Sequence, residues 1–186
     1  MQLGRHLLTL RAWTLLAALV VTGCTAQPVT GPPRAAAFNA TDTAWIQLMI
    51  PMSERAHRLT ALAPTRTTDP ALTDLATRAG ARLEEEQASL RALLDLSGVP
   101  DTRPHEGHDM PGMVSLDTLA KATKSTGKEF EQLLTASLRA HFTQSGTLCA
   151  AERTSGGAKE AKDLAATIER SAREDLDRLA AEYGPR

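Results

Sequence analysis

The sequence predicts an all-α protein, an antiparallel four-helix bundle built from two helical hairpins in series and joined by a long loop. Three observations carry that prediction. Apolar residues recur at spacings of three and four along four long segments. Turn signals fall between those segments, at Asp69-Pro70, Gly98 with Pro100, Gly127 and Ser155-Gly156-Gly157. Aromatic residues make up only 3% of the chain, and much of its 42% hydrophobic content is Ala and Leu, which suits helices better than sheets.

The N-terminal segment reads differently. Arg5 and Arg11 flank the start of an apolar run, Ala12 to Val21, and Val21-Thr22-Gly23-Cys24 closes it with small residues before a cysteine. This is the pattern of a lipoprotein signal peptide over residues 1–23. The run is about half the roughly 20 residues that span a bilayer, so a permanent transmembrane helix fits less well. Cys24 then becomes the first residue of the mature chain and carries the lipid, whose two-chain anchoring holds the protein to the outer face of a membrane. Residues 24–37, rich in Pro, Gly, Thr and Ala, read as a tether, and the folded domain is expected over residues 38–186.

Within the domain, Trp45, Met49, Met52, Ala56 and Leu59 predict a first amphipathic helix over residues 42–62, capped by Thr41 or Asp42 and kinked at Pro51. Leu72, Leu75, Ala79, Leu83, Leu90 and Leu93 mark a second, starting after Asp69-Pro70 and ending before Gly98. Glu84-Glu85-Glu86 reads as its solvated face. Ser115 caps a short helical segment to about Thr123, and Gly127 breaks it. Phe130, Leu134, Ser137, His141, Ser145 and Leu148 form the expected inward stripe of a third long helix. Leu164, Ile168, Ala172, Leu176, Leu179 and Tyr183 form that of a fourth.

Charge and cysteines narrow the function classes. The formal net charge is −1, and −3 once Arg5 and Arg11 leave with the signal, so no basic stripe points to nucleic acid. With Cys24 lipidated, Cys149 has no intramolecular partner and reads as a small apolar residue on a helix. No apolar surface stripe decides between a monomer and a homo-oligomer, and nothing identifies a protein partner.

Several stretches together resemble one family. They are Phe38-Asn39-Ala40-Thr41-Asp42, Met49-Ile50-Pro51 with Ala56, the interhelical His108-Asp109-Met110-Pro111-Gly112-Met113, and Gly127-Lys128-Glu129-Phe130. In order, they resemble the domain-of-unknown-function 305 family of exported, ferritin-like four-helix bacterial proteins. That resemblance implies the bundle fold and copper binding at the cell envelope. It also implies paired histidines in the first and third long helices. Here the first pair is Met52-Ser53, and Leu138-Arg139-Ala140-His141 retains one histidine of four. A single imidazole does not make a metal centre.

Two sets of donors are left as candidates. The loop places His105, His108, Asp109, Met110 and Met113 within nine residues, a set able to serve Cu(II) through nitrogen and Cu(I) through sulfur. Inside the bundle, Met49 and Met52 share a helix face and His141 lies on the inward stripe, which would suit Cu(I) as well as it suits plain core filling. Catalysis is not expected. No Gly-x-Ser-x-Gly elbow, phosphate loop or zinc motif occurs, and Glu54-Arg55-Ala56-His57 is a single Glu-x-x-His facing water where a di-iron bundle needs two. The chain therefore reads as a non-enzymatic envelope lipoprotein with a copper-binding loop, or alternatively as a structural or protein-interaction module that has lost its metal.

Overall fold

The structure, a computed structural model, describes residues 37–184. The expectations for the signal peptide, Cys24 and the tether up to residue 36 lie outside the described residues. Six helices follow in order: α1 Ala40–Thr60, α2 Ala63–Arg66, α3 Pro70–Ser97, α4 Leu116–Ala122, α5 Gly127–Ser155 and α6 Lys159–Tyr183. Among the described residues no helix is long and apolar enough to cross a membrane.

Helix α1 starts two residues before the expected position because its cap is Asn39, not Thr41 or Asp42. The Asn39 side chain accepts from the amides of Thr41 and Asp42 at 2.8 and 3.0 Å, and the Asp42 carboxylate receives the Asn39 amide at 2.5 Å. This reciprocal box satisfies orphan donors at both ends of the first turn. The helix continues through Pro51. Asp69 caps α3 with Pro70 in its first turn, and Gly98, at φ 72°, ends it in the left-handed conformation that residues with a Cβ avoid. Ser115 caps α4 by accepting from the Thr118 amide at 3.0 Å.

Helices α1 and α3 pack as one antiparallel hairpin, and α5 and α6 as the other. Contacts of α1 with α5 and of α3 with α6 close the bundle. Its interior is two apolar clusters. One holds Leu59, Leu72, Leu83, Phe130, Leu134, Leu138 and Leu179, and the other Trp45, Met49, Met52, Leu90, Cys149 and Ile168. Each fully buried Leu or Ile contributes about 1.5–3 kcal/mol relative to exposure, and several such groups on every long helix hold the hairpins together.

Between the clusters, the helices pass through a polar layer. Buried Ser53 separates the two clusters along α1, Gln87 beside Glu86 does so along α3, and His141 with Ser145 does so along α5. Two expectations are corrected here. Glu86 is not part of the solvated face but lines the bundle interior with His141 and Ser145. On α5 the apolar stripe runs through Leu138 and Cys149, both fully buried, in place of their neighbours Ser137 and Leu148, which are half-buried. The inward positions advance by four residues from Leu134 to Leu138 and from Ser145 to Cys149, where the expected stripe advanced by three, so the more apolar Leu138 takes the inward place of Ser137.

Candidate functional site

The polar layer is the first place where chemistry gathers. Ser53 on α1 donates a short hydrogen bond to Glu86 on α3. Burial pushes the Glu86 carboxyl up to about 7, partly offset by that hydrogen bond. His141 on α5 is 1% exposed, and its Nδ1 has no hydrogen-bond partner. Desolvation pulls its pKa down to about 4 against the opposing pull of the Gly112 backbone, so the ring is neutral at neutral pH. The Oγ of buried Ser145 is also without a partner. Glu86, His141 and Ser145 line one small cavity of about 10 Å³ with Arg82 and Asp175, whose guanidinium and carboxylate are paired across α3 and α6. A space of that size holds about one water molecule.

This arrangement differs from the inner donor set expected from the sequence. His141 faces Glu86 and Ser145, whereas Met49 and Met52 belong to the apolar cluster with Trp45 and Cys149 and do not line the cavity. Glu86 was missed because an acidic triplet suggests solvent. The signal lies in the stripe itself: from Leu83 to Leu90 the expected apolar positions pass over six residues, and the inward turn between them falls on Glu86 and Gln87.

The loop between the hairpins is held by arginines. Arg55, on α1 and only 4% exposed, donates through Nη1 to Asp109 Oδ1 at 3.2 Å and to the Val114 carbonyl at 3.4 Å, and through Nη2 to the Glu106 carbonyl. Arg103 binds Glu54 at 2.6 Å and Glu106 at 2.6 Å. Glu54 also accepts from Arg91 at 2.5 Å. Glu54 is thus committed to two arginines at the rim of the bundle, a different setting from the free, water-facing carboxylate expected for it.

These contacts sort the five loop donors. Asp109 is engaged by Arg55. Met113 is buried in the second apolar cluster, and Met110 packs against it. His105 and His108 are left together, their ring centroids 6.1 Å apart in an edge-on arrangement, with His108 exposed and His105 half-buried. The shielded Nδ1 of His105 has no hydrogen-bond partner. Among the described residues, no group of three or more His, Cys, Asp or Glu side chains converges to hold a metal. Cys149 is buried, and burial raises its thiol well above the ordinary range, which makes it a poor nucleophile.

No curated protein matches this sequence. A crystal structure described as a secreted DUF305 protein from Streptomyces coelicolor is similar in fold, with a TM-score of 0.68 over 76% of this chain and 90% of that one, at 18% identity. That likeness supports the bundle architecture. Residues 42–183, from the capping Asp42 to Tyr183 at the end of α6, match the family described as Domain of unknown function (DUF305), and the chain belongs to that family.

Proposed function

We propose that this chain is a non-enzymatic exported protein, tethered at the cell envelope through a lipid on Cys24, that binds copper weakly and reversibly through His105 and His108. Export is supported by the signal and lipobox pattern ending at Cys24, and by the description of the Streptomyces coelicolor neighbour as secreted. The observation that carries the binding reading is the pairing of the two imidazoles at the surface, one of them with a shielded nitrogen that no protein group uses. Neutral imidazole nitrogens suit Cu(II), and two of them leave the remaining coordination positions to water. Such a site exchanges its ion readily, since no third protein donor fixes the geometry.

The test is a Cu(II) titration of the purified protein against a competing chelator. Replacing His105 and His108 together by Ala abolishes binding on this reading, whereas Asp109→Asn and Met113→Leu leave it intact. Binding that survives the double replacement refutes the His105 and His108 reading. No binding by the unaltered protein favours a second reading, an interaction or structural module without metal. That reading draws support from the engagement of Asp109 with Arg55 and of Met113 with the core.

A further inference from the structure

At the end of the bundle where residue 37 enters α1, two acidic side chains lie buried against each other. Asp42 on α1 is fully buried, and its carboxylate collects backbone donors from the α5–α6 turn. The Gly157 amide lies 3.0 Å from both oxygens, and that of Ala158 lies 3.1 and 3.3 Å away. Glu152, in the last turn of α5, is 1% exposed, and no N–H or hydroxyl donor reaches either of its oxygens. Asp42 contacts it. A buried carboxylate with no donor and an ionised neighbour is costly, and the remaining solution is a proton.

We propose that Asp42 and Glu152 share one proton across the α1–α5 contact, and that this pair is a pH-sensitive latch clasping the α5–α6 turn onto the start of α1. Glu152 donates its carboxyl proton to Asp42, and Asp42 stays ionised because the turn amides aim at it. The pair ties the turn to α1, assisted by the Asn39 side chain, which donates to the Ser155 carbonyl at 2.9 Å. The turn needs glycine there. A Cβ on Gly156 would collide with the Glu152 side chain, and one on Gly157 would come within 2.8 Å of the Ala37 carbonyl.

The protonation pattern has the matching direction. Burial, followed by the hydrogen bond to Asp42 and its charge, raises the Glu152 carboxyl to about 8, with Lys162 of α6 pulling the other way. Burial works against Asp42 ionising, but the hydrogen bonds from Glu152, Asn39, Gly157 and Ala158 outweigh it and lower its pKa. The groups facing Glu152 are therefore Asp42 from α1, Lys162 from α6 and, on α5 itself, the un-ionised Cys149. A group whose folded pKa lies above its unfolded value of 4.5 stabilises the fold fully below that value. The contribution falls as pH rises and is gone once the folded pKa is passed.

The experiment compares the pH dependence of unfolding in the unaltered protein and in Glu152→Gln, whose amide can donate to Asp42 at every pH. Glu86 and His141 titrate in both chains and cancel in the difference. One extra proton held by the native state raises the unfolding constant of the unaltered protein about tenfold per pH unit between pH 5 and 8, relative to the variant. Parallel profiles would overturn the proposal. Carboxyl-carbon NMR on the unaltered protein reads the same proton without any variant. A Glu152 resonance that titrates near pH 8 supports the latch, and one that titrates in the ordinary carboxylate range overturns it.

Discussion

Replacing Arg55 by Ala should loosen the interhairpin loop while leaving the bundle folded. The guanidinium is almost fully enclosed and donates to three oxygens of one loop, so its removal strips the loop of its main attachment to α1. The three contacts are unequal. The bond to the Glu106 carbonyl is charge-assisted and worth about 1.5–3 kcal/mol. The contact to the Val114 carbonyl, at 3.4 Å, is long and adds less. The Asp109 side chain is 63% exposed, so that ion pair is screened and contributes at most about 1 kcal/mol.

If the loop stayed in place, two carbonyls would lose their donor and the loss would approach about 4 kcal/mol. The loop can lift and let water reach those carbonyls, so the expected net destabilisation is about 2–3 kcal/mol. Chemical denaturation measures that figure. Cleavage by a glutamate-specific protease after Glu106 measures the local opening, which should accelerate more than global stability explains. A change below about 1 kcal/mol with unaltered cleavage would refute the view that Arg55 holds the loop.

Three further outcomes are expected. Leu138→Ala removes a fully buried side chain of the first cluster and should cost about 2–5 kcal/mol in denaturant titrations, whereas Leu116→Ala, at a side chain 49% exposed, should stay within about 0.5 kcal/mol. Gly112→Ala should destabilise by more than about 1 kcal/mol, because Gly112 sits at φ 73° and a Cβ would strike the Gln144 side chain; Gly107→Ala, with open space around it, should be near neutral by the same assay. Cys149 should resist a thiol reagent in the folded protein and react only as the protein unfolds, and rapid labelling under native conditions would contradict its burial.

The bundle was legible because its signals are local. Asp69-Pro70, Gly98 and Ser115 set helix ends through their own backbone chemistry, and those ends fall where the turn residues place them. The first cap was misplaced since Asn39 reaches forward to Asp42, and Asp42 alone also looks like a cap. The site was less legible for a different reason. Whether a loop donor is free depends on residues far along the chain. Arg55 is 54 residues from Asp109, and no spacing within the loop announces that pairing. Asp42 and Glu152 are more distant still in sequence. Each reads as an ordinary helix-end acid until the fold sets one against the other.

The loop shows why, on the proposed copper reading, metal binding and folding are separable in this chain. A flexible loop rich in donors can be organised by a cation, and here that cation belongs to the protein. The Arg55 guanidinium gathers a carboxylate oxygen and two carbonyl oxygens as an ion of hard character would. The apolar cluster takes up the thioether of Met113 and packs against that of Met110. Oxygen donors are consumed by charge and sulfur donors by the hydrophobic effect, which leaves the two imidazoles, the donors with least to gain from either. On the proposed copper reading, an ion at His105 and His108 meets a loop already in place and has no folding free energy to supply. Its stabilisation of the protein should then follow simple mass action, growing with the logarithm of free copper above Kd. Chelation should lower the unfolding midpoint by no more than that amount, in contrast to metal-dependent folds, which collapse when the ion is removed.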